Sequence, residues 1–123
     1  MAHIKIVSFT PRGAVSGLQI AEQLEGALIE RYRFGEDASL AASSLSRFVQ
    51  QAMVDCDLII FISDVPAVVC AVAPYIANNG YDPAVLCVDQ SLQSIVQLLK
   101  GRYDISETIT GKLLDSLNIP LIR

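Results

Sequence analysis

Apolar and polar residues fall into blocks along this chain, and the length and period of each block separate strands from helices. Ile4-Lys5-Ile6-Val7-Ser8-Phe9 is short, rich in β-branched and aromatic residues, and closed by Thr10-Pro11-Arg12-Gly13. That pattern predicts a buried first strand ending in a turn. Beyond it Gly17, Ile20, Ala21, Leu24, Ala27 and Leu28 recur at spacings of three and four, while Gln19, Glu22, Glu25 and Glu30 take the other face. This is the signature of an amphipathic helix. Leu58-Ile59-Ile60-Phe61-Ile62 is an unbroken apolar run, as a central strand requires when helices cover both faces of a parallel sheet.

The intervening stretch carries weaker signals. Arg31-Tyr32-Arg33-Phe34 reads as a short edge strand, and the small polar segment from Ser39 to Ser46 leads into a second helix ending near Val54. Val65, Val68, Val69, Val72, Ala73 and Ile76 return to helical spacing, with Pro66 in a first turn where its missing N–H costs nothing. Pro74 is expected to kink or end that helix. Asn78-Asn79-Gly80-Tyr81-Asp82-Pro83 is turn chemistry, followed by buried strands at Ala84 to Val88 and Ile95 to Leu99. Asp104 and Glu107, three apart, form a capping box ahead of Ile105, Ile109, Leu113 and Leu117, and Ile119 to Ile122 closes the chain as a terminal strand. Strands and helices alternate with no linker or repeat. The expected architecture is a single α/β domain over residues 1–123, doubly wound around a mostly parallel sheet of about five strands with helices on both faces.

The totals narrow the possible functions. At 123 residues the chain is long enough for one compact core, and its 52% apolar and 18% charged content leaves little polar surface. A net charge of −4, scattered Lys and Arg and the absence of Trp argue against nucleic acid. No apolar stretch approaches the ~20 residues of a membrane span, and Met1 to Phe9 lacks the pattern of a signal peptide. A soluble protein is expected. Cys56, Cys70 and Cys87 are widely spaced and odd in number, so no disulfide framework is expected and a reducing cytoplasm fits. Cys70 and Cys87, flanked by Val and Ala, read as buried small hydrophobes. With His3 as the single histidine, no metal site and no cofactor are expected.

Ligands of open α/β sheets lie outside the carboxyl ends of the strands, which directs attention to the turns that follow them. These offer Thr10, Arg12 and Gly13 after the first strand, Ser63 and Asp64 after the central one, Asp89 with Gln90 and Ser91, and finally Gly101, Arg102 and Tyr103. Thr10-Pro11-Arg12-Gly13 presents N–H groups and a guanidinium to an anion, although Thr10 serves equally as the cap of a helix starting at Pro11. Asp64 and Asp89 share a rim, as an acid–base pair would. Each also has a structural task, Asp64 at the start of the Pro66 helix and Asp89 in closing a turn. Ser63 sits at a strand-to-helix junction without the Gly-x-Ser-x-Gly elbow or a base to activate it. No catalytic residue is assigned. Thr10, Arg12, Gly13, Ser63, Asp64, Asp89, Gly101 and Arg102 are the candidate ligand-binding residues.

The run from Asp57 to Ser63, then Val68-Val69, Ala71-Val72-Ala73-Pro74, and Asp82-Pro83-Ala84-Val85-Leu86-Cys87-Val88-Asp89, resembles the N-terminal region of the cobalamin biosynthesis protein CbiG family. The likeness runs roughly from Thr10 to Ile122 and is densest between Asp57 and Gly101. Full-length members resemble cobalt-precorrin-5A hydrolases, which open a ring lactone and release a two-carbon aldehyde during corrin assembly. The resemblance extends only to the family's N-terminal region. Departures fall on polar and glycine positions: the family's Arg becomes Cys70, a Gly becomes Pro66, a Glu becomes Gln90, and a Gly-His-Leu-Gly-Gly-Ala-Asn segment becomes residues 101–107. Arg102 in place of His replaces a group that exchanges protons near neutral pH with one that stays charged.

The resemblance and its departures imply a corrin-pathway domain that binds a cobalt-precorrin tetrapyrrole or a partner enzyme without hydrolysing the lactone alone. A divergent hydrolase using Asp64, Asp89 and Arg102 is the competing reading. A structural module, including a homo-oligomer, is the third, because so apolar a short chain has surface to bury against another subunit.

Overall fold

The computed structural model describes residues 3–24, 27–34, 38–77, 82–101, 105–117 and 121–122. The elements in chain order are β1 (His3–Ser8), α1 (Pro11–Glu22), β2 (Leu28–Arg33), α2 (Ala38–Asp55), β3 (Leu58–Ile62), α3 (Val65–Val72), β4 (Ala84–Val88), β5 (Ile95–Leu99), α4 (Ile105–Leu117) and β6 (Leu121–Ile122), with a 3₁₀ turn at Ala73–Tyr75. The strands form one sheet in the order β2-β1-β3-β4-β5-β6. The expected doubly wound α/β architecture is present, with five strands of full length and β6 only two residues long.

The unbroken apolar runs became the centre of the sheet, as their composition requires. Every residue of β3 and of β4 is buried. Alternate side chains feed two separate cores. Ile4, Ile6, Leu58, Ile60, Ile62, Leu86 and Val88 meet Ile20 of α1 and Ile109 and Leu113 of α4. On the other face Val7, Ile59, Phe61, Val85 and Cys87 meet Val49, Ala52 and Met53 of α2 and Val68 and Val72 of α3. Each face is thereby closed off from water, and the rims are where polar chemistry collects.

Three local expectations change. The helical period that included Leu28 ends earlier, at Glu22, and Leu28 opens β2 beside His3 of β1. Leu24 still reaches the core, which is why the period looked unbroken. The polar stretch from Ser39 belongs to α2 itself. Cys70 is exposed, while Cys56 and Cys87 are buried: Val68 and Val72 direct α3 inward, and a residue two places from each faces out. The Asn78 to Tyr81 turn, the Asp104 cap and Ile119-Pro120 lie outside the described residues.

β4 and β5 pair antiparallel, unlike the other neighbours. Their connection is a tight turn from Asp89 to Ser94, too short for the crossover that parallel strands need. β5 therefore begins on the rim where β1, β3 and β4 end.

At the opposite pole a polar cluster ties β1 to β2 and α2. Lys5, nearly buried, places Nζ 3.0 Å from Asp55 Oδ1 and lies over the rings of Tyr32 and Phe48. Burial pushes the Asp55 carboxyl up, but hydrogen bonds from Lys5 and Gln51 outweigh it and leave the group below its ordinary value. Glu30 is lowered by the Tyr32 hydroxyl and by His3. Both carboxyls are depressed in the folded chain, so the stability they confer is full above the ordinary carboxylate range and is lost as the pH falls below it. The urea midpoint is expected to decline between pH 5.5 and pH 3, and Asp55→Asn should make that decline shallower.

Candidate functional site

The chain leaves β1 toward β2 on one side of the sheet and returns to β3 on the other, so the winding reverses between β1 and β3. A crevice forms there because the connections diverge to opposite faces. A cleft of about 330 Å³ opens at this point, lined by Phe9, Thr10, Ile62, Ser63, Asp64, Asp89 and Gln90.

Its walls are fixed by hydrogen bonds that the fold itself requires. Thr10 is the cap of α1: its Oγ1 accepts from the Gly13 N–H at 2.9 Å. The same hydroxyl donates to Gln90 Oε1 at 2.7 Å. Ser16, buried on the next turn of α1, donates to the Gln90 carbonyl at 2.5 Å. One residue of the β4–β5 turn is thus held from α1 at two points. Asp89 shapes that turn, since its Oδ1 accepts the N–H groups of Gln93 and Ser94, each at 2.7 Å. Leu92 adopts a φ of 56° there and packs against the α1–α4 core.

Asp64 occupies the cap position of α3 but makes no capping bond through its side chain, contrary to the expectation. A capping side chain reaches the N–H of the second or third helical residue; the second is Pro66, which has none, and the Asp64 side chain makes no bond to the third. Asp64 Oδ1 instead accepts from Ser63 Oγ at 3.3 Å. Cys87 donates from Sγ to the Ser63 carbonyl at 3.0 Å, and burial pushes that thiol up to about 11. It stays a neutral packing group.

Of the eight candidate residues, Thr10, Ser63, Asp64 and Asp89 meet in the cleft. Gly13 lies beneath it. A Cβ there would come within 3.1 Å of Thr10 Oγ1 and 3.4 Å of Ser8 Cβ, so glycine lets α1 settle against β1. Arg12 is exposed on the first turn of α1 and is not part of the cleft lining. Gly101 must be corrected: it packs on Ala84, at the amino end of β4. The reversal of β5 carries it to the pole opposite the cleft, and the expected rim shared by all the post-strand turns does not exist. Arg102 lies outside the described residues. Phe9, Ile62 and Gln90 complete the lining. The signal for Phe9 was its place as the last apolar residue before Thr10; Gln90 stood among the residues of the turn after β4 but was not chosen as a candidate.

Asp89 offers a direct test of a structural against a chemical role. Asp89→Ala is expected to cost about 2 kcal/mol, from two charge-assisted backbone bonds partly replaced by water. Asp89→Asn keeps an acceptor oxygen and should retain most of that stability in urea unfolding.

Among the described residues no group of three or more His, Cys, Asp or Glu is placed to hold a metal ion, and no helix is long and apolar enough to cross a membrane. No imidazole lies in the cleft lining, and the described hydrogen-bond partner of its serine is the adjacent carboxylate.

Fold and cleft together define a doubly wound α/β domain with a crevice at the switch point between β1 and β3. The chain belongs to the family described as Cobalamin synthesis G N-terminal, whose model matches residues 47–122, from the second half of α2 through β6. The crystal structure of a cobalamin biosynthesis protein G homolog from Sulfolobus solfataricus shares the fold, with a TM-score of 0.73 at 23% identity. The match covers 98% of this chain and 36% of that one, so the chain spans about a third of that relative's length. No curated protein matches the chain.

Proposed function

We propose that this chain serves cobalamin biosynthesis as a binding domain that does not hydrolyse the corrin lactone by itself. The observation that carries this reading is the prior engagement of the cleft's polar groups. Thr10 caps α1 and holds Gln90, and Asp89 closes the β4–β5 turn. Among the described residues the Ser63 hydroxyl bonds to the adjacent Asp64. A serine nucleophile needs a base aligned on its hydroxyl and a third group orienting that base, and neither requirement is met by a neighbouring carboxylate at 3.3 Å.

The cleft's size and charge bear on what it holds. About 330 Å³ is at the lower end of small-molecule sites, and Asp64 and Asp89 repel the carboxylates of a corrin intermediate. A cobalt-precorrin is therefore met only at its edge, and a partner enzyme of the corrin pathway encloses the remainder. The greater length of the Sulfolobus relative supports such an arrangement, with this fold as one part of a larger assembly.

Acetaldehyde release from cobalt-precorrin-5A incubated with the purified chain is expected to stay at the level without protein. Turnover that vanishes in Asp89→Asn would overturn the reading in favour of a hydrolase built on Asp64, Asp89 and Arg102. Titration against cobalt-corrin intermediates, followed by visible absorption, separates the occupants. A spectral shift with the chain alone assigns the intermediate. A silent spectrum, with co-sedimentation of a corrin-pathway enzyme, assigns the partner.

A further inference from the structure

We propose that α3 is the contact face of a symmetric dimer, in which two copies of this chain meet helix to helix about a two-fold axis that passes beside Cys70. The composition of the segment is the first reason. From Val65 to Ala77 it reads Val-Pro-Ala-Val-Val-Cys-Ala-Val-Ala-Pro-Tyr-Ile-Ala, without one charged side chain. A helix that is apolar all round belongs in an interior. Yet within α3 only Val68 and Val72 are buried. Pro66, Ala67, Val69, Cys70, Ala73 and Ile76 are open to water, Val69 by 43% and Ile76 by 37%. An exposed apolar surface of this kind marks a contact with another molecule.

The other helices differ. Each carries exposed charges: Arg12 and Glu22 on α1, Arg47 and Asp55 on α2, Lys112 and Asp115 on α4. Val15 and Leu18 are also exposed on α1, but the charges of Arg12 and Glu22 flank them. On the α3 segment the Tyr75 hydroxyl is already bonded to Ser46 of α2.

Two properties of the face select a second copy as its cover. A two-fold interface uses one patch for both sides, so the patch has to complement itself. Charge is the first property. The chain carries a net −4, which sets copies against one another in general, and the uncharged surface of α3 meets its own image without like-charge repulsion. Shape is the second. Val69 and Ile76 protrude beside an open hollow of about 290 Å³ between α2 and α3, whose lining includes Leu45, Ala67, Cys70 and Pro74, so one face offers both the projection and the recess. Ala67, Cys70 and Ala73 are small, which lets two helices approach closely.

Cys70 lies midway along the segment from Val65 to Tyr75 and in the middle of its exposed side. A two-fold axis through the centre of the face therefore brings the two Cys70 side chains together, whichever way the helices cross. The interface borders the cleft, because α3 begins directly after Ser63 and Asp64.

Sedimentation equilibrium of the full chain from low to high micromolar concentration is expected to show a reversible dimer. Monomer throughout would overturn the proposal. Val69→Asp sets an unpaired carboxylate in the contact and is expected to weaken association roughly tenfold or more, with the urea midpoint little changed because Val69 is exposed. Leu18→Asp on α1 should leave association as it was. The reverse pattern, with Leu18→Asp separating the copies and Val69→Asp not, places the contact on α1 and defeats the proposal. Cys56 and Cys87 are buried, so a short bis-maleimide added to the unchanged chain reads the geometry through Cys70. A covalent dimer is expected, lost in Cys70→Ser while sedimentation still shows the pair. A dimer that the reagent fails to link would sink the two-fold contact at α3, even if Val69→Asp proved unable to fold.

Discussion

Gly101→Ala is expected to lower the unfolding free energy by on the order of 3–5 kcal/mol, a fall in Tm of roughly 10–20 °C. Two independent costs combine. Gly101 has a φ of +88°, a region in which any Cβ is strained. The added Cβ would also lie 2.7 Å from the backbone nitrogen of Ala84 and 2.9 Å from its Cβ. Ala84 begins β4 and donates its N–H to the Asp57 carbonyl at 3.0 Å, so it cannot retreat without disturbing a central strand. A thermal melt close to that of the unchanged chain would show that the β5–α4 connection yields more readily than this packing allows.

Phe61→Ala should cost about 3–5 kcal/mol. Phe61 is fully buried on the central strand, flanked in register by Val7 of β1 and Cys87 of β4, and covered by α2 and α3. The loss combines the transfer term of the ring with an unfilled space beneath two helices. Against the 5–15 kcal/mol typical of a domain, either substitution removes a large share of the stability. Phe61→Leu fills most of the space and should cost roughly 1–2 kcal/mol, so the urea midpoints of the two variants test whether volume sets the effect. Equal losses in both would point to the aromatic ring itself.

These expectations touch a difference in how the fold and the site are encoded. β1, β3 and β4 were legible because a strand covered on both faces has no polar residue to place, and its composition announces it. Thr10, Ser63, Asp64 and Asp89 were legible as a group for a related reason: parallel strands end together, so the residues after them share a rim. Gln90 was harder. Its importance lies in bonds to Thr10 and Ser16, which are 80 and 74 positions away, and no local pattern carries a contact of that separation. The side chain of Asp64 does not take the capping role; Pro66 removes one of the two N–H groups such a cap uses, and where the carboxylate turns instead, to Ser63, is not written in the residue types.

The sequence by itself determined the alternation of strands and helices and the apolar centre of the sheet, because each follows from residue types at short range. The direction of β5 was decided by tertiary structure alone. Whether Ile95–Leu99 runs with β4 or against it depends on how the Asp89–Ser94 turn closes and on which edge remains open, and an apolar strand reads the same in both directions. That choice placed Gly101 at one pole and the cleft at the other.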